Sequence, residues 1–430
     1  MLSDFPTIWK VMLYFLMAQK ICKDEPDILL NPIVSKFKNI KQAMAEYNKG
    51  DAFSPEIINA IHFVQKSSDS AKLVFKHFKL GGEESEEQSF SDSKFQKNLF
   101  YLQKKFEDAF DSLKLNRNHI LFIDGIDVRP DKFKYDDYLE CIKGLANAAW
   151  EINTTRFANI KDSKGRLKII LILRPDIFAS LRLTNLNIKF SDNSVLIDWR
   201  FPDSKQYRKS KIFEVTDKLL FAQQERSISY ELGKTWDYYF PSDKTRYYIA
   251  SQNSYEDCFK WFLDYSLFRP RDIVAMLQTL QTKFLDNGHH SPTFYREDFE
   301  NRPVKVSYSS YMWSEVTEYL KFYYDEKDEK QIEVFFSYLR KYTFSYKEFC
   351  DTYDSYMVRR KPQAQLPKFF ETADTLLQLL YDLNIIRFID EENTHHFSYR
   401  EKNYTKIRPE IELGQTYQIH EAFSTRLYAY

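Results

Sequence analysis

The stretch Asn118 to Pro130, NHILFIDGIDVRP, decides how the chain is read. Ile120, Leu121, Phe122 and Ile123 form an apolar run that stops at Asp124-Gly125, and a second carboxylate follows at Asp127, after Ile126. A short apolar run ending in turn residues predicts a buried strand of a parallel sheet meeting a loop. In open α/β sheets ligands bind outside the carboxyl ends of the strands, so Asp124 stands where chemistry is usually done. A carboxylate at the tip of a buried strand needs a partner, because an unpaired charge there is expensive. Two readings of Asp124 stand: a ligand for a Mg²⁺ carried by a nucleotide, or a strand-end residue capping the next turn.

A second strand strengthens the pattern. Arg166 to Phe178, RLKIILILRPDIF, holds an apolar run from Ile169 to Leu173, followed by Arg174-Pro175-Asp176. Between the two runs, Tyr135 to Phe157 carries Tyr138, Leu139, Ile142, Leu145, Ala146, Ala149 and Ile152 at helical spacing. Strand, helix, strand predicts a right-handed βαβ unit with parallel pairing. Its two strands, 119–127 and 167–174, end at the same edge, one in carboxylates and the other in an arginine.

These residues carry a resemblance. ILFIDGID resembles the Walker B element of STAND-type P-loop ATPases, whose NACHT and KAP-like relatives have a similar Asp-Gly-x-Asp pattern. ILILRPDIF is similar to the strand that follows it there and ends in a sensor residue. LFRPRDIVAML, Leu267 to Leu277, resembles the arginine-bearing start of a lid helix in AAA+ and STAND ATPases. The resemblance implies that Asp124 holds the Mg²⁺ of ATP and that Asp127 polarises the attacking water. It implies further that Arg174 senses the γ-phosphate, and that Arg271 or Arg269 reaches the nucleotide from the lid.

The chain departs from that family at one essential point. A P-loop cradles phosphates with the backbone N–H groups and lysine of GxxxxGK[ST], and no such loop occurs in these 430 residues. The lone Gly-Lys-Thr, Gly233 to Thr235, has Ile228 where the first glycine belongs and lies after the Walker B-like strand. The expectation is an ATPase module that starts after its phosphate loop or has lost it. A homo-oligomer or a partner chain could supply that loop, and nucleotide affinity of the chain alone is expected to be weak or absent.

Composition narrows the class. Lys plus Arg and Asp plus Glu both number 62, so no global field advertises nucleic acid or an acidic membrane. Cys22, Cys141, Cys258 and Cys350 show neither CxxC nor His spacing, which speaks against zinc and disulfides and for a reducing, cytoplasmic setting. The apolar run Ile8 to Ile21 is interrupted by Lys10 and Lys20 and is shorter than the ~20 residues a span needs, so it predicts a buried amphipathic helix.

Elsewhere the pattern is helical at Pro32–Tyr47, Pro55–Val64, Ala71–Leu80 and Phe95–Leu115, with a polar loop at Gly81–Ser93. Ser194–Phe201 alternates like a strand, and Ser210–Gln223 and Ser254–Tyr265 read as helices. Arg271 lies in the first turn of the next helix, where a cation is mildly unfavourable. That points to an anionic ligand or to an ion pair with Asp272 or Glu256. Asp286–Val304, with His289-His290, reads as a linker, and helices are expected at Tyr311–Tyr324 and Gln331–Tyr342. Ser345–Tyr353 and Pro367–Leu383 then precede two short strands, Ile385–Ile389 and His396–Tyr399, joined at Asp390–Asn393.

Helix, helix, helix, hairpin is the winged-helix order, which commonly follows the lid in STAND and origin-type AAA+ proteins. The tip is acidic and the third helix mixes Lys368 with Glu371 and Asp374, while Arg359, Arg360 and Lys361 cluster before it. That charge pattern favours protein contact over DNA reading.

The sequence therefore predicts an α/β plus α chain, predominantly helical: an incomplete P-loop NTPase parallel sheet over 1–205, a helical lid over 206–305, and a winged helix over 306–430. The expected function is a bacterial-type, nucleotide-dependent regulatory switch using ATP and Mg²⁺. The alternatives are a non-catalytic scaffold acting through protein contacts and a winged-helix nucleic-acid binder.

Overall fold

The computed structural model describes residues 5–24, 100, 103–104, 106–111, 113–127, 129, 134–161, 163–181, 193–201, 206–224, 229–249, 254–286, 288, 291–324, 326–359, 367–402 and 408–427. The helices expected at Pro32–Tyr47, Pro55–Val64 and Ala71–Leu80, the loop Gly81–Ser93, and His289-His290 lie outside them. The chain divides into two compact units, Met1–Thr184 and Asn185–Tyr430, and is mostly helical with small sheets. Among the described residues no helix is long and apolar enough to cross a membrane.

The first unit is built on the expected strand–helix–strand unit, but its first strand is not buried as expected: Ile120 and Phe122 are exposed, so one face of the strand meets solvent. β1 (His119–Ile123) pairs in parallel with β2 (Leu167–Leu171), Leu121 facing Ile169 and Ile123 facing Leu171. Between them runs a helix labelled α2 (Tyr135–Glu151), which continues as π-helix over Ile152–Arg156 and as a 3₁₀ turn over Phe157–Asn159. The π turn turns Asn153 toward the sheet. Its side-chain amide donates to the Ile169 carbonyl at 2.8 Å and accepts from the Ile169 N–H at 2.9 Å. Asn153 thereby takes the hydrogen bonds that a neighbouring strand would make with β2 at this residue.

The apolar N-terminal run forms α1 (Phe5–Asp24) and packs on α2. Ile8, Trp9, Leu13, Tyr14, Met17 and Ile21 are all buried, so burial extends round most of the helix rather than along one amphipathic face. Trp9 Nε1 donates to the Cys141 carbonyl at 3.1 Å, and Lys10 pairs with Glu151 at 2.6 Å. The two helices meet at Gly144, where an added Cβ would stand 2.6 Å from Cβ of Phe5. Phe106 and Phe110 belong to the same core, with the Phe110 ring 5.3 Å from Tyr14 and 5.5 Å from Phe157. After β2 a short helix, α3 (Pro175–Ser180), closes the described part of the unit apart from Leu181.

The second unit opens with α4 (Lys211–Ala222), α5 (Lys234–Tyr239) and the single turn α6 (Ser242–Thr245). A small antiparallel hairpin follows, β3 (Tyr247–Ile249) with β4 (Ser254–Glu256), and then α7 (Cys258–Asp264) and α8 (Pro270–Asp286). Next come α9 (Arg296–Glu300), α10 (Arg302–Lys321) and α11 (Glu326–Leu339). The remaining order is β5 (Thr343–Ser345), α12 (Tyr346–Arg359), α13 (Ala373–Asp382), β6 (Ile386–Ile389) and β7 (His395–His396). The single turn α14 (Ser398–Glu401), β8 (Thr416–Ile419) and α15 (Glu421–Leu427) complete it.

One apolar cluster runs through the unit from Tyr207 to Leu427. Its aromatic rings interlock: Trp236 stacks on Phe240 at 4.3 Å and meets Phe259 edge-on at 5.0 Å. Such geometry adds to simple area burial because ring faces and edges carry opposite partial charge.

Several local expectations change in the tertiary setting. Residues 194–200 have no strand assignment; Arg200 instead bonds to Asp198 and to the Tyr399 carbonyl. The start of the helix expected at Ser254–Tyr265 is strand β4, with Asp257 accepting from Phe259 N–H as the cap of α7. The expected linker Asp286–Val304 contains α9 and the start of α10, where Asn301 caps the Val304 N–H at 2.9 Å and Pro303 occupies the first turn. The second strand of the terminal hairpin covers His395–His396 alone, and residues 398–401 turn into helix. β8 inserts between β5 and β6, giving the antiparallel order β5-β8-β6-β7.

The parallel strands depend on a tight return before β2. Gly165 donates its N–H to the Leu115 carbonyl at 2.8 Å, and a Cβ there would sit 1.8 Å from the Arg117 carbonyl oxygen. Gly165→Ala is therefore expected to cost about 1–3 kcal/mol, measured by urea denaturation; an unchanged midpoint would contradict this packing.

Candidate functional site

Asp124 follows directly on β1 and is exposed. Its Oδ1 accepts the Gly125 N–H at 2.7 Å, and Gly125 adopts φ 76°, a left-handed conformation costly for other residues. Of the two readings, the structure shows the turn cap, made by one carboxylate oxygen; the charge is not buried as expected, because Asp124 lies in solvent at the carboxyl end of the strand. Ile126 is buried, and its carbonyl accepts from the Tyr138 hydroxyl at 3.0 Å, which ties the loop to α2. Burial first, then the nearby Cys141 and Asp127, push that hydroxyl well above its ordinary range, so it serves as a donor. Asp127 is half-buried beside it.

β2 ends next to β1, with Ile172 N–H donating to the Ile123 carbonyl at 2.8 Å. Asp124 and Arg174 therefore leave the sheet at one edge, as the parallel register requires. The Arg174 guanidinium turns onto Asp176 in the first turn of α3, with Nη2 at 3.0 Å and Nε at 3.3 Å from the two carboxylate oxygens. Arg174, expected from sequence to sense a phosphate, is thus engaged by a carboxylate two residues away. Among the described residues no group of three His, Cys, Asp or Glu side chains is placed to hold a metal ion.

In the second unit, Arg269 and Arg271 flank the start of α8. Arg269 grips Asp272, with Nη2 to Oδ1 at 2.6 Å and Nε to Oδ1 at 3.0 Å, and stands 3.3 Å from Glu315 on α10. Asp272 is fully buried and also accepts the Leu267 N–H at 2.9 Å. Burial works against the Arg269 charge, yet its carboxylate partners outweigh that and raise its pKa. Arg271 is 68% exposed at its side chain and reaches the same Glu315 at 3.3 Å. Its ion-pair partner is neither Asp272 nor Glu256, the two expected from sequence.

The Gly233-Lys234-Thr235 segment has a structural role. Gly233, at φ 88°, opens α5, and the fully buried Asp217 accepts its N–H and that of Trp236, each at 2.7 Å. A helix start can hold an anion through its free N–H groups. Here the chain's own carboxylate takes that place.

Sequence reasoning missed three structural positions in this arrangement: Asn153, Asp217 and Glu315. Each acts on residues distant in sequence, and a lone Asn, Asp or Glu on a helix carries no signal of such a partner. Comparisons with protein-family models, with curated proteins and with solved structures find no match for this chain.

The pairing of Arg269 separates it from Arg271. Arg269→Ala would leave Asp272 buried without its counter-ion, and is expected to cost about 3 kcal/mol. Arg271→Ala, at an exposed pair, should stay within about 0.5 kcal/mol. Denaturant titration of the two variants checks the contrast, and equal losses would refute it.

Proposed function

We propose that the chain is a STAND-like ATPase module acting as a nucleotide-dependent regulatory switch, degenerate at its phosphate-binding loop. The observation that supports this reading most is the parallel β1–α2–β2 unit with Asp124 and Asp127 following β1 and Arg174 following β2. Mg²⁺ is commonly held by one or two carboxylates together with substrate phosphates and water. Asp124, exposed and with one oxygen committed to Gly125, suits an ion that arrives with its nucleotide rather than a resident one. Such an ion would offset charge developing on a phosphoryl group. The part left to the chain's own residues is positioning. Gly125 and the Tyr138–Ile126 bond fix the loop, and Asp127 lies within it where a water could be oriented. The order α11, β5, α12, α13, β6, β7 supports a winged-helix reading of the segment after α10. β8, lying between β5 and β6, is an addition to that pattern.

A second reading, a non-catalytic scaffold that keeps the fold for protein contacts, draws on a different observation. Arg174 is engaged by Asp176, Arg269 by Asp272 and Glu315, and Asn153 occupies the outer edge of β2. An ATPase would have to break or supplement these contacts in order to hold a polyphosphate.

Equilibrium binding of labelled ATP with Mg²⁺ decides between them. The switch reading expects weak, Mg²⁺-dependent binding, with Kd on the order of 1 mM, that Asp124→Ala abolishes. No binding at several-fold higher nucleotide would favour the scaffold. Binding indifferent to Asp124→Ala would sink the assignment of Asp124.

A further inference from the structure

The terminal hairpin carries a side-chain cluster that the nucleotide reading does not use. His396 lies on β7, the edge strand, with its ring stacked on Phe388 of β6 at 4.5 Å and 8°. Its Nε2 is 2.8 Å from Oδ2 of Asp390 at the hairpin tip, and its Nδ1 is 3.0 Å from Oε1 of Glu401 on α14. An ionised carboxylate can only accept hydrogen bonds, so both contacts are satisfied together only if both ring nitrogens carry protons. A neutral ring would turn a lone pair toward one of the carboxylates. We propose that His396 is a charged clasp, an imidazolium that pins the hairpin tip to α14 and opens when it loses its proton.

The division of labour at Asp390 supports this. Oδ1 caps the turn, accepting the N–H groups of Glu392 at 2.9 Å and Thr394 at 2.8 Å, which leaves Oδ2 for the ring. β7 spans two residues, so backbone pairing alone holds this edge weakly and the side-chain clasp carries much of its order.

The surrounding charges act on the same ring. Burial disfavours the imidazolium, but Asp390 and Glu401 outweigh it and hold His396 above its ordinary value. Asp390 is correspondingly lowered, first by its bond to His396. The adjacent His395 is lowered by burial and then by Arg387, with Arg400 adding to the effect, so it stays neutral where His396 is charged. From α13, Tyr381 lies against Glu401, and burial followed by that carboxylate raises its hydroxyl, which keeps it uncharged. The sign follows from linkage: a raised folded-state value gives a contribution fully present below the unfolded value and lost as pH rises through the folded one. The clasp is closed in mild acid and opens on the alkaline side of about 6.5. It involves no nucleotide and stands whether or not the ATPase reading does.

The test is a ring-nitrogen NMR titration of the full chain with labelled histidine, His396 being assigned by the signal lost in His396→Gln. It is paired with hydrogen exchange of residues 386–396 corrected for intrinsic pH dependence. Three results are expected: a midpoint above about 6.5, exchange protection that falls across that midpoint, and a drop in midpoint of about one unit in Glu401→Gln, tenfold in proton affinity. Glu401→Gln leaves the Asp390 turn bonds in place. A midpoint at or below the ordinary value, or hairpin protection indifferent to it, overturns the clasp. Hairpin protection is read on the unsubstituted chain, so that arm decides the outcome even if a variant fails to fold.

Discussion

A charge withdrawn from water has to be met by an opposite charge or by a set of N–H donors, and this chain meets that demand from within. Asp217, buried completely, binds the start of α5; Asp272, equally buried, is held by Arg269 and the Leu267 N–H. Arg387 in β6 pairs with Glu421 at 2.8 Å and with Gln418 in β8 at 2.8 Å, tying the inserted strand to the helix after it. Removing one member of such a set strands the other, which is costlier than never having buried either. These contacts therefore lock the helices and strands of the second unit into one arrangement.

The same constraint shapes the candidate site. Arginines that a nucleotide could use are valuable when their charge is uncommitted, yet Arg174 and Arg269 face carboxylates of their own elements, at Asp176 and Asp272. Asp124 differs, because its turn bond leaves the carboxylate exposed to solvent at the carboxyl end of β1. Any nucleotide would have to compete with bonds already made.

Packing is governed by a second constraint, abundant rings and scarce glycine: 37 Phe and 30 Tyr against 9 Gly. Large side chains keep backbones apart, so close approach is concentrated where glycine stands. Gly144 admits α1 against α2, and Gly165 admits the chain beside Arg117 before β2. In the second unit the interlocked rings around Trp236 fill the corresponding space without such approaches.

Much of the first unit was legible in the sequence, because strand, helix and strand each announce themselves within a few residues. The apolar runs ending at Asp124 and Arg174, and the helical spacing from Tyr135, determined a parallel pair with charged residues at one edge. Arg174–Asp176 and Arg269–Asp272 are close in sequence as well, yet the sequence reading set Arg174 against a phosphate and Asp272 against Arg271, so both pairs came from the structure. The tertiary structure alone decided what depends on distant partners: Asn153 on the edge of β2, Asp217 at the start of α5, Glu315 between two arginines, and β8 between β5 and β6. The same holds for Ser194–Phe201, whose alternation reads as a strand but finds none to pair with among the described residues. Periodicity reports the face a residue can bury, whereas hydrogen bonds and ion pairs depend on which surface the fold brings opposite it.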